Sequence, residues 1–269
     1  MTDDFQAPSP GRSQLRPLDA AADAVRFFTR LPVPARFGSE PATDAMAGIA
    51  AASPLGGLLV GAGSAAVLAL ALAIGLPATF AAVLATAAAA TLSGSLHLDG
   101  LADVADGFGG GRDTERKLAI MRDSRLGTYG GAALALALMG RVTLIAALAD
   151  RLDVWAAVGA VIATAALARP LAFLPTLLLD PARAEGLGRS ARPDLRMVAI
   201  GLAIAAAIAL VFAGLGGLVA LAVAAAAAGA LSALARRQIG GYTGDVCGAA
   251  AELAEIAALA TLVVVAGAF

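Results

Sequence analysis

The sequence of 269 residues has few charges, a single cysteine and no excess of basic residues. Its one cysteine, Cys247, excludes an internal disulfide framework and a zinc site built from cysteines. Lys and Arg number 19 against 20 Asp and Glu, which argues against a nucleic-acid-binding protein. We also expect no cleavable export signal, because Asp3 and Asp4 stand where such a signal is basic and no apolar segment follows them.

Apolar residues are what the sequence has in excess. They make up 59% of the chain, and only 14% is charged, unlike a soluble domain. A membrane-spanning helix needs about 20 apolar residues, and several such runs alternate with short polar connections. We therefore predict an all-α, polytopic membrane helical bundle, with a disordered polar tail over 1–16 and a single integral-membrane catalytic domain over 17–269. The seven predicted spans lie near 54–75, 78–96, 129–149, 154–178, 197–213, 217–235 and 247–267.

The distribution of basic residues predicts the orientation of these spans. With the N-terminus in the cytoplasm, seven spans place 16 of the 19 Lys and Arg residues on the cytoplasmic side. Membrane proteins concentrate basic residues on that side. We therefore predict a multi-pass protein of the cell inner membrane whose N-terminus and three large loops are cytoplasmic. The other three basic residues are Arg151 on the opposite side and Arg141 and Arg169 inside predicted spans.

The segment 97–107 carries the clearest chemical signal. Asp99, Asp103 and Asp106 fall within an arc of about 60° on one helix face. Three carboxylates at the end of an apolar span repel one another unless a cation lies among them. Such oxygen ligands suit Mg²⁺, with Mn²⁺ as an alternative, and phosphate oxygens and water would complete the coordination. The other interpretation, a solvated acidic loop, fits less well because the opposite face of the helix is apolar.

The residues that flank this segment suggest a phosphorylated substrate. His97 is either an interfacial capping residue or a group that binds substrate or transfers a proton, since the pKa of a free histidine suits proton transfer near neutral pH. The glycine-rich segment 107–111 is either a hinge or a backbone cradle for phosphate. Cations beside a metal site are what a di- or triphosphate requires. The five basic residues of this loop are Arg112, Arg116, Lys117, Arg122 and Arg125.

A second candidate region follows at 240–255. Asp245, Glu252 and Glu255 lie near one helix face, and the two glutamates fall inside a predicted span. Buried acids in a span either complete a metal site or pair with intramembrane cations, here Arg141 and Arg169. From the residues alone, the indicated chemistry is metal-dependent transfer of a phosphorus-containing group at the cytoplasmic membrane face.

Three motifs occur in order along the chain: HLDGLADVADGF, IMRDSRLGTYG and GYTGDVCGAAAELAE, with RFFTRLPVP near the N-terminus. Together they resemble the cobalamin synthase family (adenosylcobinamide-GDP ribazoletransferase). The resemblance implies a Mg²⁺-dependent membrane enzyme of prokaryotes. In its reaction, a ribose hydroxyl of α-ribazole or its phosphate attacks the cobinamide-linked phosphate of adenosylcobinamide-GDP and releases GMP.

The resemblance also implies where the site residues lie, although matching does not separate metal ligands from substrate-binding residues. The matched positions are Asp99, Asp103 and Asp106; Asp123, Ser124, Arg125 and Gly127; and Gly244, Asp245 and Glu252. Together with the basic loop, they give our predicted site. The predicted catalytic residues are Asp99, Asp103, Asp106 and His97, and the predicted metal ligands are Asp99, Asp103, Asp106, Asp245 and Glu252. The predicted substrate-binding residues are Arg112, Arg116, Lys117, Arg122, Asp123, Ser124, Arg125, Gly127, Arg169 and Gly244.

Two other functions compete with this one. A lipid enzyme of the CDP-alcohol phosphotransferase class also aligns aspartates on a cytoplasmic helix, but Asp103 stands here where that pattern has an arginine. A cation transporter would use the acids as its ion path, yet the acids gather with five basic residues in a cytoplasmic loop. The expected partners are therefore adenosylcobinamide-GDP, α-ribazole or its phosphate, and the lipid bilayer, without nucleic acid. Whether the chain forms a homo-oligomer is left open.

Overall fold

A computed structural model describes residues 16–38, 42–183 and 192–267. Apart from Arg16, the predicted polar tail lies outside these residues. The described chain is helical throughout its spans, which confirms the predicted fold class. Its helices are α1 (Pro17–Phe28), α2 (Ala42–Ala73), α3 (Ala78–Ser93), α4 (Leu96–Gly110), α5 (Thr114–Ile120), α6 (Thr128–Arg151), α7 (Val154–Leu171), α8 (Leu174–Leu178), α9 (Leu195–Ile239) and α10 (Gly244–Ala266).

Several of these helices are long and apolar enough to cross a membrane. Within the described residues there are five such segments, and there are six if α3 and α4 cross together as one bent span. The chain is therefore a multi-pass membrane protein, while the count of seven spans and their orientation stay predictions. The five segments are Ala45–Ala73, Thr128–Arg151, Val154–Leu178, Leu195–Ile239 and Gly244–Ala266.

Helix α9 contains a turn at the connection predicted between two spans. At Gly214 the backbone leaves helical geometry, with φ 58° and ψ −150°, a conformation that only glycine adopts at low cost. Gly217 then lies so close to Ala209 that an added Cβ would overlap the Ala209 carbonyl oxygen. Eight residues of straight helix would separate these positions by about 12 Å. The chain therefore folds back, and α9 consists of two arms.

Helix α2 begins earlier than the predicted start of the first span near residue 54. Pro54 lies inside the helix, although its ring nitrogen cannot donate a hydrogen bond to the carbonyl oxygen of Ala50. The Ser53 hydroxyl donates to that oxygen instead, at 2.9 Å. Because the carbonyl is satisfied, the apolar helix continues through the proline, and the span runs from Ala45 to Ala73.

Helix α7 lies at the centre of the bundle, where every residue from Gly159 to Leu171 is buried. Helix α2 packs closely against it. A Cβ added to Gly57 would lie 2.8 Å from the Cα of Ala166, and one added to Gly61 would lie 2.9 Å from the Cα of Ile162. Side chains at these two positions would push the helices apart. Small residues thus allow the backbones to approach, as is common in membrane bundles.

A sharp turn separates α3 from the acid-bearing helix α4. Gly94 and Ser95 both adopt left-handed conformations, with φ 63° and 58°. At Ser95 this conformation costs about 1 kcal/mol, because its Cβ approaches the following carbonyl group. The turn bends the chain by 90°. The straight helix therefore ends at Ser93, before the end of the span predicted over 78–96. Helix α4 continues from there at an angle of 90° to α3.

Candidate active site

Helix α4 brings its acidic motif against the start of α10. Gly100 makes this approach possible, because a Cβ there would lie 2.7 Å from the carbonyl oxygen of Asp245 and 3.2 Å from the Cα of Gly248. At this crossing Asp99 and Asp103 lie close enough to Asp245 for electrostatic interaction. Two regions predicted from separate motifs therefore form one site, which we call the acidic cluster (Asp99, Asp103 and Asp245).

The start of α10 holds Asp245 in place. Thr243 caps the helix, and its hydroxyl oxygen accepts from the Val246 N–H at 3.3 Å. The same hydroxyl donates to Oδ2 of Asp245 at 3.2 Å. The N-terminal end of a helix also favours a carboxylate through its dipole. The Asp245 side chain is therefore held in one position within the first turn of α10, at the edge facing α4.

A cation that our sequence analysis missed lies against the acidic cluster. Nη2 of Arg183 is 3.7 Å from Oδ2 of Asp245 and donates to the carbonyl oxygen of Leu118 at 3.2 Å. The guanidinium also interacts electrostatically with Asp103 and with the neighbouring cation Arg122. Arg183 thus supplies the positive charge that the gathered carboxylates require.

A short backbone pairing places Arg183 beside α10. The Tyr242 N–H donates to the carbonyl oxygen of Asp180 at 2.9 Å, and the Ala182 N–H donates to the carbonyl oxygen of Tyr242 at 2.9 Å. Gly241 allows this approach, since a Cβ there would overlap the Asp180 carbonyl oxygen. No local pattern predicts a contact between segments so distant in the sequence, which explains why Arg183 was missed.

Asp106 has other partners than those predicted for it. This carboxylate is buried, and its two oxygens accept backbone N–H groups at the start of α6: Gly127 at 2.7 Å and Gly130 at 2.8 Å. The first N–H groups of a helix have no partner within the helix and need acceptors. Asp106 therefore caps α6 and anchors the second motif to the first. A role for Asp106 as a metal ligand stays a prediction, as does substrate binding by Gly127.

Gly130→Ala should lower the thermal stability of the protein. The added Cβ would overlap the Asp106 carboxylate and lie 2.9 Å from the Ala102 carbonyl oxygen. Loss of the cap should cost about 1–2 kcal/mol. Gly131→Ala is the matched control, because the nearest neighbour of its Cβ, Cδ2 of Leu126, is 3.9 Å away. Thermal unfolding in detergent compares the two variants, and equal midpoints would contradict the capping role.

Glu252 and Glu255 form a buried ion-pair network with the two arginines inside the spans. Arg141 donates from Nη2 to Oε1 of Glu252 at 2.7 Å and from Nη1 to Oε1 of Glu255 at 2.5 Å. Arg169 donates from Nη1 to Oε2 of Glu255 at 2.5 Å. Two charges of each sign therefore compensate one another away from water. Of the two interpretations of these acids, the structure favours pairing with intramembrane cations.

Two residues of this network were also predicted as site residues, and those roles stay predictions. Glu252, the predicted metal ligand, is 2% exposed, and its carboxylate is engaged by Arg141. Arg169 was predicted to bind substrate, but it is 3% exposed and is engaged by Glu255. Both residues lie in the ion-pair network rather than in the acidic cluster, because a charge this deep in a span needs a counter-charge at contact distance.

His97 lies at the entrance to α4, next to both groups of acids. It is buried, and its ring meets the Phe28 ring edge to face at a centroid distance of 5.8 Å. Within the described part of the chain, its Nε2 has no hydrogen-bond partner. A buried polar atom without a partner is costly and calls for an explanation. His97 is therefore a candidate for a hydrogen bond to a bound ligand.

The predicted substrate-binding residues between α4 and α6 are mostly on the surface. Lys117 and Asp123 are the half-buried ones, and Nζ of Lys117 donates to Oε1 of Gln238 at 2.5 Å, which ties α5 to the end of α9. Asp123 accepts from Nε of Arg125 at 2.9 Å. This bond lowers the pKa of the Asp123 carboxyl to about 2, so the pair is ionic at neutral pH. The exposed residues are Arg112, Arg116, Arg122, Ser124, Arg125 and Gly127.

The acidic cluster offers a partial set of metal ligands. Among the residues that the structure describes, no three His, Cys, Asp or Glu side chains are placed to hold a metal ion by themselves. Mg²⁺ usually needs only one or two carboxylates from the protein, with water and substrate phosphate completing its coordination. Asp99 and Asp103, one helical turn apart, with Asp245 nearby, fit that smaller requirement. This donor set suits a metal ion that is shared with a phosphorylated substrate.

An apolar pocket of about 300 Å³ adjoins the acidic cluster. Asp99 and Asp245 belong to its lining, as do His97 and Gly244. Gly244 has open space where a Cβ would stand. The volume is at the lower end of the range for small-molecule sites, which are typically apolar with a few polar groups. We call this cavity the aromatic pocket after four of its walls: Phe27, Phe28, Phe173 and Tyr242.

Comparison with known proteins shows the family. A sequence profile of the cobalamin-5-phosphate synthase family matches residues 20–263. The chain belongs to this family. Among its relatives are adenosylcobinamide-GDP ribazoletransferases of Bradyrhizobium diazoefficiens, 44% identical over 93% of this chain and 95% of the relative, and of Azorhizobium caulinodans, 42% identical over 88% and 92%. A third, of Mesorhizobium japonicum, is 43% identical over 90% and 92%. No solved structure is significantly similar to the chain.

The cobalamin-5-phosphate synthase match confirms the resemblance on which the site was predicted. It spans α4, Arg183 and all of α10 up to Val263, so every member of the acidic cluster lies inside the family's region. This member of the cobalamin-5-phosphate synthase family is a transferase with several membrane-spanning helices. The roles of its individual residues rest on the geometry described above.

Proposed function

We propose that the protein is an adenosylcobinamide-GDP ribazoletransferase. It joins adenosylcobinamide-GDP with α-ribazole, or its phosphate, to give adenosylcobalamin, or its phosphate, and GMP. The observation that carries this proposal is the convergence of three carboxylates and one guanidinium beside an apolar pocket. Relatives with more than 40% identity over most of the chain carry this name, which supports the same activity here.

The reaction forms one P–O bond and breaks another. A ribose hydroxyl oxygen attacks the cobinamide-linked phosphorus and gives up its proton, while the oxygen that bridges to GMP leaves with the bonding electron pair. Asp99 and Asp103, with Asp245 nearby, would hold Mg²⁺ or Mn²⁺, which when bound neutralises charge on the pyrophosphate oxygens and the leaving group. Arg183, with Arg122 beside it, binds oxygens of the same pyrophosphate through charge-assisted hydrogen bonds.

The site would also accelerate the transfer reaction by positioning its two substrates. The acidic cluster and Arg183 lie on different segments, so a pyrophosphate that contacts both is held at two sides. Such orientation of donor and acceptor converts an encounter in solution into a reaction within one complex. Asp106 contributes indirectly, since its bonds to Gly127 and Gly130 hold the second motif against α4.

We place this site at the cytoplasmic face of the inner membrane. The segments 97–128 and 179–196 together hold nine Lys and Arg residues. Basic residues are retained in the cytoplasm during insertion, and these two segments contain Arg122 and Arg183, which flank the acids. A cytoplasmic site would also release GMP into the compartment that uses nucleotides.

The full chain, purified in detergent or reconstituted in liposomes, should release GMP when given adenosylcobinamide-GDP, α-ribazole and Mg²⁺. GMP release should equal formation of the corrinoid product, should require both substrates, and should stop with a chelator and resume with added Mg²⁺ or Mn²⁺. A CDP-alcohol and a lipid acceptor serve as the control substrates. Turnover of that pair, or no GMP from folded protein with the proposed pair, would overturn the proposal.

A further inference from the structure

We propose that the aromatic pocket binds the aromatic base of the acceptor nucleoside and thereby sets the position of its ribose. This inference rests on the proposed function, because it assigns one of the two substrates to a place. The pocket lies between α1, α4 and α10 and is completed by the segment between α7 and α8. None of the basic residues between α4 and α6 belongs to its lining.

The size and lining of the pocket select this occupant among the groups present in the two substrates. A volume of about 300 Å³ admits a fused two-ring base but not a corrin macrocycle. The guanine of the donor carries hydrogen-bonding groups on most of its edge, and a lining with few polar side chains would leave some of them unpaired at a cost of roughly 1–3 kcal/mol each. A largely apolar heteroaromatic base meets no such cost.

The aromatic walls have the arrangement that favours a further ring. The Phe28 ring lies edge to face with Phe27 at a centroid distance of 4.9 Å and with Phe173 at 6.3 Å. Aromatic rings prefer such edge-to-face and offset contacts at centroid distances of about 4.5–7 Å. A flat base inserted here extends an existing cluster of rings rather than creating a new one.

Two acids connect the pocket to the chemistry. Asp99 and Asp245 belong both to the pocket lining and to the acidic cluster. A base seated among the rings therefore directs its attached ribose toward the carboxylates, where the hydroxyl must reach the phosphorus. This shared wall argues against a lipid acyl chain as the occupant, because a hydrocarbon would cover carboxylates without pairing them.

His97 adds a polar group suited to a heteroaromatic base. It lines the pocket, and its buried Nε2 has no partner among the residues that the structure describes. A neutral imidazole nitrogen can donate to, or accept from, a ring nitrogen. A base in the pocket would offer the His97 ring such a partner.

Filling the pocket should impair binding of α-ribazole and spare the donor. Cys247 lines the pocket and is half-buried, so Cys247→Phe occupies space intended for the base. We expect Cys247→Phe to raise the KM for α-ribazole at least about tenfold, as loss of about 1.4 kcal/mol would. The KM for adenosylcobinamide-GDP should change less than twofold.

Shortening an aromatic side chain that lines the pocket provides a second test of α-ribazole binding, and this substitution lies outside the membrane-spanning helices. Phe27 is 43% exposed on α1, and Phe27→Ala should raise the KM for α-ribazole by about threefold to tenfold. The matched control is Phe80→Ala on α3, because Phe80 is 51% exposed and lies outside the pocket. The control should leave both KM values unchanged.

The outcomes separate this inference from the proposed function. Binding of α-ribazole is also measured directly by equilibrium dialysis, so the pocket is tested even if no variant, or not even the wild type, releases GMP. Unchanged α-ribazole affinity in both Cys247→Phe and Phe27→Ala overturns the inference, and so does a raised KM for the donor alone. Wild-type protein that binds α-ribazole through this pocket but never releases GMP would contradict only the proposed function.

Discussion

Asp103→Asn should reduce the rate of GMP release by about a thousandfold or more while leaving expression and membrane insertion normal. Asp103 is half-buried on α4 and interacts with Asp99, Asp245 and the Arg183 guanidinium. Asparagine keeps the shape but removes the charge that balances a bound cation. Losing several kcal/mol of charge stabilisation corresponds to a rate loss of this size. The measurement is single-turnover GMP release at saturating substrates.

The control for this experiment is Asp150→Asn, which changes an exposed aspartate near the end of α6 in the same way. It should retain wild-type activity. The residual activity of Asp103→Asn should also need a higher Mg²⁺ concentration for half-saturation, a shift that a merely structural defect would not produce. Near-wild-type turnover in Asp103→Asn would rule out the acidic cluster as the reaction centre.

Glu255→Gln should be the more damaging change to the fold. Glu255 is the only residue of the ion-pair network that contacts both arginines. Without its charge, two guanidinium groups remain buried against the single carboxylate of Glu252. An uncompensated buried charge typically costs about 3–5 kcal/mol. Thermal unfolding in detergent should show a large drop in the midpoint, together with a lower yield of folded protein.

A double variant that restores equal numbers of buried positive and negative charges tests whether charge compensation explains the loss of stability. Adding Arg169→Met to Glu255→Gln leaves one charge of each sign, the pair of Arg141 and Glu252, and should restore part of the lost stability. Glu115→Gln, on the exposed first turn of α5, is the control and should change the midpoint little. A double variant no more stable than Glu255→Gln would show that charge compensation is not what the network provides.

Periodicity and composition predict much of this fold because they report burial directly. Apolar runs of sufficient length predicted the helices, and the break between the predicted spans 197–213 and 217–235 predicted the turn at Gly214. The need of a buried cation for a counter-charge also made pairing of Arg141 and Arg169 with nearby acids one of the two interpretations of those acids. The structure selects Glu252 and Glu255 as those partners.

Contacts between segments that are distant in the sequence could not be predicted from the sequence. Asp99, Asp103 and Asp106 look equivalent on one helix face, and only the position of the start of α6 distinguishes Asp106 as its cap. Likewise, Arg183 reaches Asp245 through a backbone pairing that has no side-chain signature. The aromatic pocket combines residues from several helices, so no local spacing could indicate it.

The bonds from Asp106 to the start of α6 make α4 mechanically continuous with the second motif. Any displacement of α4 would therefore act directly on the backbone of Gly127 and Gly130. The surface segment bearing Arg122 and Ser124 leads straight into that backbone, so its position relative to the acidic cluster depends on the same two hydrogen bonds.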